Sequence, residues 1–547
     1  MLVAEAVGRA LAACGVRTAF GLVGSGNFHL TNALIAAGTR FVGSAHEAGA
    51  ATMADAYARV SGEVSVVSVH QGPGVTNALT GITEAAKSRT PLVVVAPEAT
   101  APGSNFFLDL AGVAAAVGAD FRRVRAAQVY EDVAEAYRAA AAGATVVLGL
   151  PLDVQAREAP GGEVPAPVTT PLGRVPVPPA DQVHALAERL RAARRPVFIA
   201  GRGATRRPDA ARAALTALAD RCGALLAVSA AARGLFAGDP WYLDVSGGFA
   251  SPLTAELIRG SDLVVAWGST LNMWTTRHGR LISPDTTVVQ VDLDPAALGR
   301  HRPVDLGVTG DLTAVAEAVA AELEGHHATG WRDPALKARI AAEVRWRDVP
   351  YVDDSRDGRV DPRTLSIALD DLLPAERTVA VDSGNFMGYP SMYLSVPDTA
   401  GFCFTQAFQS VGLGLASGIG VALARPDRLT VAALGDGGFL MSAQELSTAV
   451  RLQIPLLVVV YNDAAYGAEV HHFGPDGHPL DTVTFPDTDL ARIAEGYGCA
   501  GRTVRSPADL AGVSEWLSSP GGRPLVVDAK VTADRGSWWL EEAFRGH

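Results

Sequence analysis

The sequence predicts an α/β protein with three doubly wound parallel-sheet domains. Its 547 residues exceed what one hydrophobic core usually contains, so several domains are expected. Short runs of valine, isoleucine and leucine alternate with helical patterns along most of the chain. Strands that are apolar throughout are typical of parallel sheets covered by helices on both faces. Two segments that lack such runs divide the chain into three blocks.

Eight apolar runs predict the buried strands, and each is flanked by residues with helical periodicity. They are VSVVSV (64–69), PLVVVA (91–96), PVFIAG (196–201), LVVAWG (263–268), TVVQVD (287–292), TVAVD (378–382), LTVAAL (429–434) and PLLVVVY (455–461). The first residues, MLVAEAVGRALAACGV, predict an amphipathic helix, because Glu5 stands where a signal peptide would be basic.

Proline, glycine and charged residues mark the domain boundaries. Segment 158–179 has seven prolines in 22 residues and predicts an extended surface connector. Segment 331–361 is charged and has little strand signal. The predicted domains are residues 1–157, 180–330 and 360–547.

Composition restricts the partners and the compartment. The formal net charge is −12 and no long lysine or arginine run occurs, which argues against nucleic acid or an anionic membrane as a partner. No apolar run approaches ~20 residues, so no membrane span is predicted. The four scattered cysteines have neither a disulfide nor a metal-site spacing and fit the reducing cytoplasm.

Oxygen-bearing side chains follow two successive predicted strands. LTVAAL ends at Gly435-Asp436-Gly437, and PLLVVVY leads to Asn462-Asp463. Ser442 and Glu445 between them have the spacing of a capping box, which would start the connecting helix. Adjacent parallel strands end at the same sheet edge about 4.8 Å apart, where oxygen ligands beside glycine suit Mg²⁺ and a phosphate. The alternative is two turns that never meet.

This segment, in which 24 residues separate Gly437 from Asn462, resembles the thiamine-diphosphate motif of the pyruvate decarboxylase, benzoylformate decarboxylase and acetolactate synthase superfamily. The resemblance covers essentially the whole chain and implies pyrimidine-binding, central and diphosphate-binding domains in that order. It implies that Asp436, Asp463 and the backbone carbonyl of Ala465 bind Mg²⁺. Asp463 replaces the family's usual asparagine, and its added charge should favour Mg²⁺ and disfavour diphosphate.

The resemblance also implies cofactor contacts in the third block. In QAFQSVGLGLASGIG (406–420), Val411 stands where a bulky hydrophobe supports the bent cofactor, and Gln409 where a backbone carbonyl binds its 4′-amino group. Asn385, in DSGNFMG (382–388), is the implied diphosphate donor. The alternative for each is an ordinary strand-to-helix turn. The other implied cofactor-binding residues are Gly435, Gly437, Gly438, Phe439 and Tyr466.

The first block supplies the other half of the implied site. In SAHEAGAATMADAYARVSG (44–62), small residues after Glu47 predict a helix packed closely against a neighbour. In the superfamily a glutamate here hydrogen-bonds N1′ of the aminopyrimidine, so that the 4′-amino group can act as the base. The alternative for Glu47 is a solvated first-turn carboxylate. The family pattern implies sites between subunits, hence a homodimer or homotetramer.

Four residues are candidates for the substrate side of the site. Ser25 and, less directly, His29 lie in FGLVGSGNFHL (20–30), and Ser25 and His70 match positions in benzoylformate decarboxylase. Glu469 matches a proton-handling glutamate of pyruvate decarboxylase-like enzymes. The alternatives are a structural histidine for His70 and a solvated helical residue for Glu469.

The implied function is a thiamine-diphosphate- and Mg²⁺-dependent lyase or transferase acting on a 2-oxo acid, by non-oxidative decarboxylation or decarboxylative carboligation. HEA at 46–48 and NFFLD at 105–109 depart from acetolactate synthase patterns. The tail residues Trp538 and Trp539 are candidates to close over the site. A Gly201-Arg202-Gly203 turn leaves bound FAD as an alternative, with an acetolactate synthase-like carboligase. A non-catalytic paralogue is the remaining alternative.

Overall fold

Three six-stranded sheets, each parallel throughout, form the computed structural model of the protein, which describes residues 1–161, 178–519 and 521–543. Helices cover the faces of the sheets, so the three α/β domains predicted from the apolar runs are confirmed. All eight predicted strands are present. The proline-rich connector predicted at 158–179 falls largely on residues 162–177, which lie outside the described residues.

The amino-terminal sheet has the strand order β2-β1-β3-β4-β6-β5. Its strands are β1 (Thr18–Gly21), β2 (Arg40–Gly43), β3 (Ser65–Ser68), β4 (Leu92–Glu98), β5 (Asp120–Arg123) and β6 (Thr145–Pro151). Its helices are α1 (Val3–Cys14), α2 (Phe28–Ala36), α3 (Glu47–Ser61), α4 (Pro73–Lys87), α5 (Leu110–Val117), α6 (Val129–Ala141) and α7 (Leu152–Gln155). The predicted amino-terminal amphipathic helix is α1, with Gly15 in the left-handed conformation at its end.

The central sheet has the order β12-β11-β10-β7-β8-β9. Its strands are β7 (Pro196–Ala200), β8 (Leu225–Val228), β9 (Tyr242–Val245), β10 (Leu263–Trp267), β11 (Thr287–Asp292) and β12 (Leu306–Thr309). Its helices are α8 (Ala180–Ala192), α9 (Pro208–Cys222), α10 (Pro252–Arg259), α11 (Met273–Thr276) and α12 (Leu312–Glu322), and α13 (Pro334–Glu343) follows in the charged segment.

The carboxy-terminal sheet has the order β14-β13-β15-β16-β18-β17. Its strands are β13 (Arg377–Val381), β14 (Phe402–Phe404), β15 (Leu429–Gly435), β16 (Leu456–Asn462), β17 (Ala500–Val504) and β18 (Leu525–Lys530). Its helices are α14 (Pro362–Leu372), α15 (Gly388–Tyr393), α16 (Gly414–Ala424), α17 (Asp436–Ser442), α18 (Leu446–Arg451), α19 (Gly467–Phe473), α20 (Leu490–Gly496), α21 (Ala511–Ser518) and α22 (Trp538–Ala543).

The amino- and carboxy-terminal domains pack directly on each other through α3 and α16. A β-carbon on Gly420 would overlap the carbonyl of Met53, so the two helix backbones nearly touch. This close approach is what the small residues of α3 predict. Apolar residues of both domains belong to one continuous core, which joins the sheets that carry the two halves of the predicted site.

The capping box predicted at Ser442 is wrong. The helix already begins at Asp436, and Ser442 is the last residue of α17, where its hydroxyl donates to the carbonyl of Gly438. The Glu445 carboxylate instead accepts hydrogen bonds from the amides of Ala45 and His46, at 3.2 and 3.0 Å. A contact between domains therefore uses the side chain that a local cap would have needed.

No helix among residues 1–161, 178–519 and 521–543 is both long and apolar enough to cross a membrane.

Candidate active site

Two carboxylates meet at the carboxyl edge of the third sheet. Strands β15 and β16 are neighbours with Gly435 opposite Tyr461, so Asp436 and Asp463 follow adjacent strand ends. Burial raises the pKa of both carboxyls, the charge of Asp436 raises that of Asp463 further, and the amide of Ala465 opposes both shifts. Among the described residues, neither forms an ion pair with lysine or arginine. The raised pKa values show that the chain does not fully compensate two negative charges here, although the charge of Arg359 lowers the pKa of Asp463. A divalent cation would supply that compensation.

Two glycines permit close packing beside these carboxylates. A β-carbon on Gly437 would overlap the ring of Tyr466, which packs edge-on against Phe485 with ring centroids 4.8 Å apart. A β-carbon on Gly438 would overlap the Asp382 carboxylate. Close packing of Tyr466 and Asp382 therefore requires glycine at both positions, and the backbone amides there have no side chain of their own to shield them from an anion.

Asp382 is a site residue that the sequence analysis did not identify. It is fully buried, and its carboxylate accepts hydrogen bonds from the amides of Ser383, Gly412 and Leu413 at 2.8 to 3.1 Å. Burial raises its pKa to about 6 despite these amides. Asp382 thus fixes the end of the loop in which Val411 lies. Its position directly after a buried strand was the only available signal.

The loop that contains Gln409 and Val411 lies against the glycine-rich turn. The Val411 side chain is 3.3 Å from the place where a Gly438 β-carbon would stand, so these two predicted cofactor residues are brought together. Gln409 is exposed and has φ +61°, a left-handed conformation that is uncommon for a residue other than glycine.

The carboxy-terminal tail holds Asn385 from behind. The amide of Ser537 donates to Asn385 Oδ1 at 2.8 Å, while the Ser537 hydroxyl and Trp539 Nε1 both donate to the Asn385 carbonyl at 2.6 and 2.9 Å. Asn385 Nδ2 faces Gly467 beside Asp463. The tail therefore orients the Asn385 amide so that its NH₂ group points toward the carboxylate pair.

Glu47 is the first residue of α3 and is buried. Its Oε2 accepts a hydrogen bond from Asn77 Nδ2 at 3.0 Å, and Gly74 of α4 leaves room beside Oε1. The alternative for Glu47, a solvated first-turn carboxylate, is thus not what the structure contains. Asn77 was not identified from sequence, because 30 positions along the chain separate it from its partner.

Two of the predicted substrate-side residues lie together. His70 is two residues beyond β3, and its Nδ1 accepts a hydrogen bond from the amide of Gly26 at 3.3 Å, next to the exposed Ser25. An accepting Nδ1 places the proton of the neutral ring on Nε2. The His70 ring also packs edge-on against Phe106. His29 lies farther along, exposed on α2.

Two other predicted site residues have side chains that are not brought together with the carboxylate pair. Glu469 is exposed on α19 and borders a cavity of about 400 Å³ together with Phe473 and His478. The Phe439 side chain is fully buried in the shared core, so only its backbone remains available to a ligand.

Family comparisons match the same three domains. Residues 1–112 match the N-terminal TPP binding domain of thiamine pyrophosphate enzymes, 183–319 match the central domain and 382–529 match the C-terminal TPP binding domain. The chain belongs to the thiamine pyrophosphate enzyme family. It is therefore a thiamine-diphosphate-dependent enzyme of the decarboxylase, acetolactate synthase and acetyltransferase type.

Curated relatives of this family align over nearly the full chain. A probable 2-ketoarginine decarboxylase of Pseudomonas aeruginosa is 32% identical over 92% of this chain and 89% of the relative. A sulfoacetaldehyde acetyltransferase of Alcaligenes xylosoxydans is 31% identical over 99% and 95%. The large subunit of acetolactate synthase isozyme 2 of Escherichia coli is 27% identical over 98% and 97%.

The residues present fit the family's cofactor. The donor pair Asp436 and Asp463 would hold the metal, the Gly437-Gly438 turn and Asn385 Nδ2 would face the diphosphate, and Val411 would face the rings. Oxygen donors of this kind are those that Mg²⁺ prefers. A bound cation would stabilise the ionised form of both carboxyls, which burial disfavours.

The Gly201-Arg202-Gly203 turn of the central domain has a structural explanation. The amide of Gly203 donates to the carbonyl of Gly268 at 3.0 Å, and β-carbons on Gly201 and Gly203 would overlap the 268–269 backbone. Close packing of two loops thus requires both glycines. The turn by itself gives no reason to place FAD in the central domain.

Proposed function

We propose that this enzyme uses thiamine diphosphate and Mg²⁺ to decarboxylate a 2-oxo acid, and either releases the product as an aldehyde or transfers it to a second carbonyl compound. The observation that supports the metal requirement most strongly is the adjacent pair Asp436 and Asp463, whose pKa values are raised, which share the amide of Ala465 and which form no ion pair with lysine or arginine among the described residues. Ala465 contributes its carbonyl as the third protein ligand.

The residues of the chain have distinct proposed roles in this reaction. When bound, the cofactor would supply nucleophilic carbon chemistry toward the substrate carbonyl. Glu47 binds the pyrimidine ring and keeps a proton shared with it, and the hydrogen bond from Asn77 holds the carboxylate in one orientation. Because His70 Nδ1 accepts from the amide of Gly26, its Nε2–H remains a donor, which suits binding of the substrate carboxylate or transfer of a proton to the product.

The substrate class follows from chemistry that the relatives share. A 2-ketoarginine decarboxylase acts on a 2-oxo acid, and its similarity covers 92% of this chain. The acetolactate synthase relative aligns just as completely and favours carboligation, and the sulfoacetaldehyde acetyltransferase relative favours acetyl transfer. Transfer to an acceptor is therefore the second candidate function. Product identity separates the two candidates, because a decarboxylase releases an aldehyde alone.

A homodimer is the proposed minimum assembly. The hydrogen bond found for the Glu47 carboxylate lies within its own domain, which leaves this half of the site available to a second copy. Large apolar side chains are exposed around both halves, as expected for a surface that a second protomer covers. They are Leu22, Val23 and Phe28 in the first domain and Phe408, Leu440 and Met441 in the third.

Cofactor binding is the first test. The melting temperature of the metal-free protein is measured alone, with thiamine diphosphate, with Mg²⁺ and with both ligands. We expect a large increase in melting temperature only when both ligands are present. CO₂ release from a panel of 2-oxo acids, with products identified by mass spectrometry, then tests the reaction. No stabilisation by the pair of ligands, or no CO₂ from any panel member, would contradict the proposal.

Mixed dimers test whether the site spans two protomers. Glu47→Gln and Asp436→Ala are each expected to be inactive. After unfolding and refolding of an equimolar mixture, half of the dimers are hybrids with one intact site, so activity should return to about a quarter of wild type. Activity that stays at the level of the separate variants would contradict a shared site.

A further inference from the structure

A buried charged cluster joins the amino-terminal domain to the cofactor loop of the same chain. The cluster consists of Asp55 and Arg59 on α3 and Glu84 on α4. Arg59 pairs with both carboxylates at 2.7 Å, and the two carboxylate side chains are at most 1% exposed. Charges this deeply buried lower the stability of the fold unless ion pairs and hydrogen bonds compensate for the lost hydration. The cluster therefore needs an explanation beyond surface solvation.

The cluster makes three hydrogen bonds to the backbone of the third domain. Glu84 accepts from the amides of Ala407 and Phe408 at 3.0 and 2.6 Å. Arg59 Nη1 donates to the carbonyl of Phe404, at the end of β14, at 3.0 Å. Lys87 adds its ammonium group over the Phe408 ring, 5.6 Å from the centroid. The first half of the loop is thus held by the other domain.

The loop has few other means of keeping its shape here. Both polar side-chain atoms of Gln406 are buried without a hydrogen-bond partner among the described residues. Gln409, which directly follows the bonded amide of Phe408, is exposed and has φ +61°. Asp382 holds only the far end of the loop, at Gly412 and Leu413. Gln409 and Val411, the proposed cofactor contacts, lie between the amides bound by Glu84 and those bound by Asp382.

A carboxylate is the side chain that this position needs. Burial raises the pKa of Glu84, but Arg59 and the amides of Phe408 and Ala407 outweigh burial, so the net pKa lies below its usual value. An ionised carboxylate can accept from both amides and from Arg59 at once. A glutamine has one accepting oxygen, and its NH₂ group would face a donor.

We infer that Glu84 is a positioning residue for the reaction: from the first domain it fixes the 404–408 segment so that Gln409 and Val411 stand in the geometry that binds the cofactor. This inference rests on the proposed function. It assigns Glu84 no contact with the substrate or cofactor. A residue that only joined the two domains would change stability and leave cofactor affinity alone.

The test compares three variants in the full-length protein. Glu84→Gln removes the charge and one acceptor, and Glu84→Asp keeps the charge but withdraws the carboxylate. Ser88→Ala is the matched control, because its hydroxyl bonds Glu84 at 3.1 Å and Arg59 at 2.6 Å and has no contact with the loop among its hydrogen bonds. Amide hydrogen exchange of the peptide 404–411 and the Kd of thiamine diphosphate at saturating Mg²⁺ are measured for each.

The expected result is faster exchange in 404–411 and a Kd raised about tenfold for Glu84→Gln, a smaller change of the same kind for Glu84→Asp, and wild-type values for Ser88→Ala. Should Glu84→Gln fail to fold, Glu84→Asp alone must show both effects. Faster exchange with unchanged Kd, or equal effects in Ser88→Ala, would overturn the inference. Failure of the proposed function is distinguishable, because the wild-type protein would then not bind the cofactor.

Discussion

Trp539→Phe tests whether the tail prepares Asn385 for the diphosphate. Three hydrogen bonds from Ser537 and Trp539 hold Asn385, and the variant removes the one from the indole, 2.9 Å long. The Asn385 carbonyl keeps its bond from the Ser537 hydroxyl, so no buried acceptor is left without a donor. A net hydrogen bond contributes about 1 kcal/mol, which corresponds to roughly a fivefold change in an equilibrium constant.

The assay is calorimetric titration of the metal-saturated protein with thiamine diphosphate. We expect the Kd of Trp539→Phe to rise about fivefold, with kcat at saturating cofactor within about twofold of wild type, because the substrate-side residues are untouched. Trp516→Phe is the control, since Trp516 Nε1 donates to the Arg523 carbonyl at the same 2.9 Å but on α21. Unchanged affinity in Trp539→Phe, or an equal loss in Trp516→Phe, would refute the reasoning.

Three further predictions address the metal pair, the glycine turn and the Glu84 anchor. Asp436→Ala should abolish the increase in melting temperature that Mg²⁺ and cofactor produce together. Asp463→Asn should retain that increase and bind the diphosphate of the cofactor more tightly. The same increase in both variants would contradict the ligand roles. Gly437→Ala should lower stability by about 1–3 kcal/mol, because its β-carbon overlaps the Tyr466 ring, and an unchanged denaturant midpoint would argue against that packing. The depressed pKa of Glu84 stabilises the folded protein above the unfolded pKa of about 4.3, and this stabilisation is lost as pH falls through the folded pKa. The melting temperature of wild type should therefore approach that of Glu84→Gln in acid. A difference in melting temperature that stays constant at all pH values would exclude this.

The fold could be predicted from sequence because its strands are buried on both faces. Runs such as LTVAAL and PLLVVVY are almost entirely apolar, with Thr430 the one polar residue between Leu429 and Leu434. The right-handed connection between the two strands brings their ends to the same edge of the sheet. The pairing of β15 with β16 brought Asp436 and Asp463 together as expected. Local periodicity and one topological rule were sufficient for this half of the site.

Contacts between distant segments could not be predicted in the same way. Ser442 and Glu445 have the letters of a capping box, but tertiary hydrogen bonds to Ala45 and His46 use the glutamate instead. Asn77 and Asp382 lie within segments that the motifs pointed to, yet nothing in their own surroundings identifies their partners. A single sequence indicates where a helix or strand lies far more clearly than it indicates which distant residues that element contacts.

The near-touching backbones of α3 and α16 have a consequence for biosynthesis. A ribosome finishes α3 at Ser61 but does not reach Gly414, where α16 begins, until the whole central domain has been made. At 5–20 residues per second this interval lasts roughly 20–70 s. Throughout it the alanine-rich surface of the nascent first domain has no covering helix, so newly made chains should depend on chaperones during that interval more than the finished enzyme does.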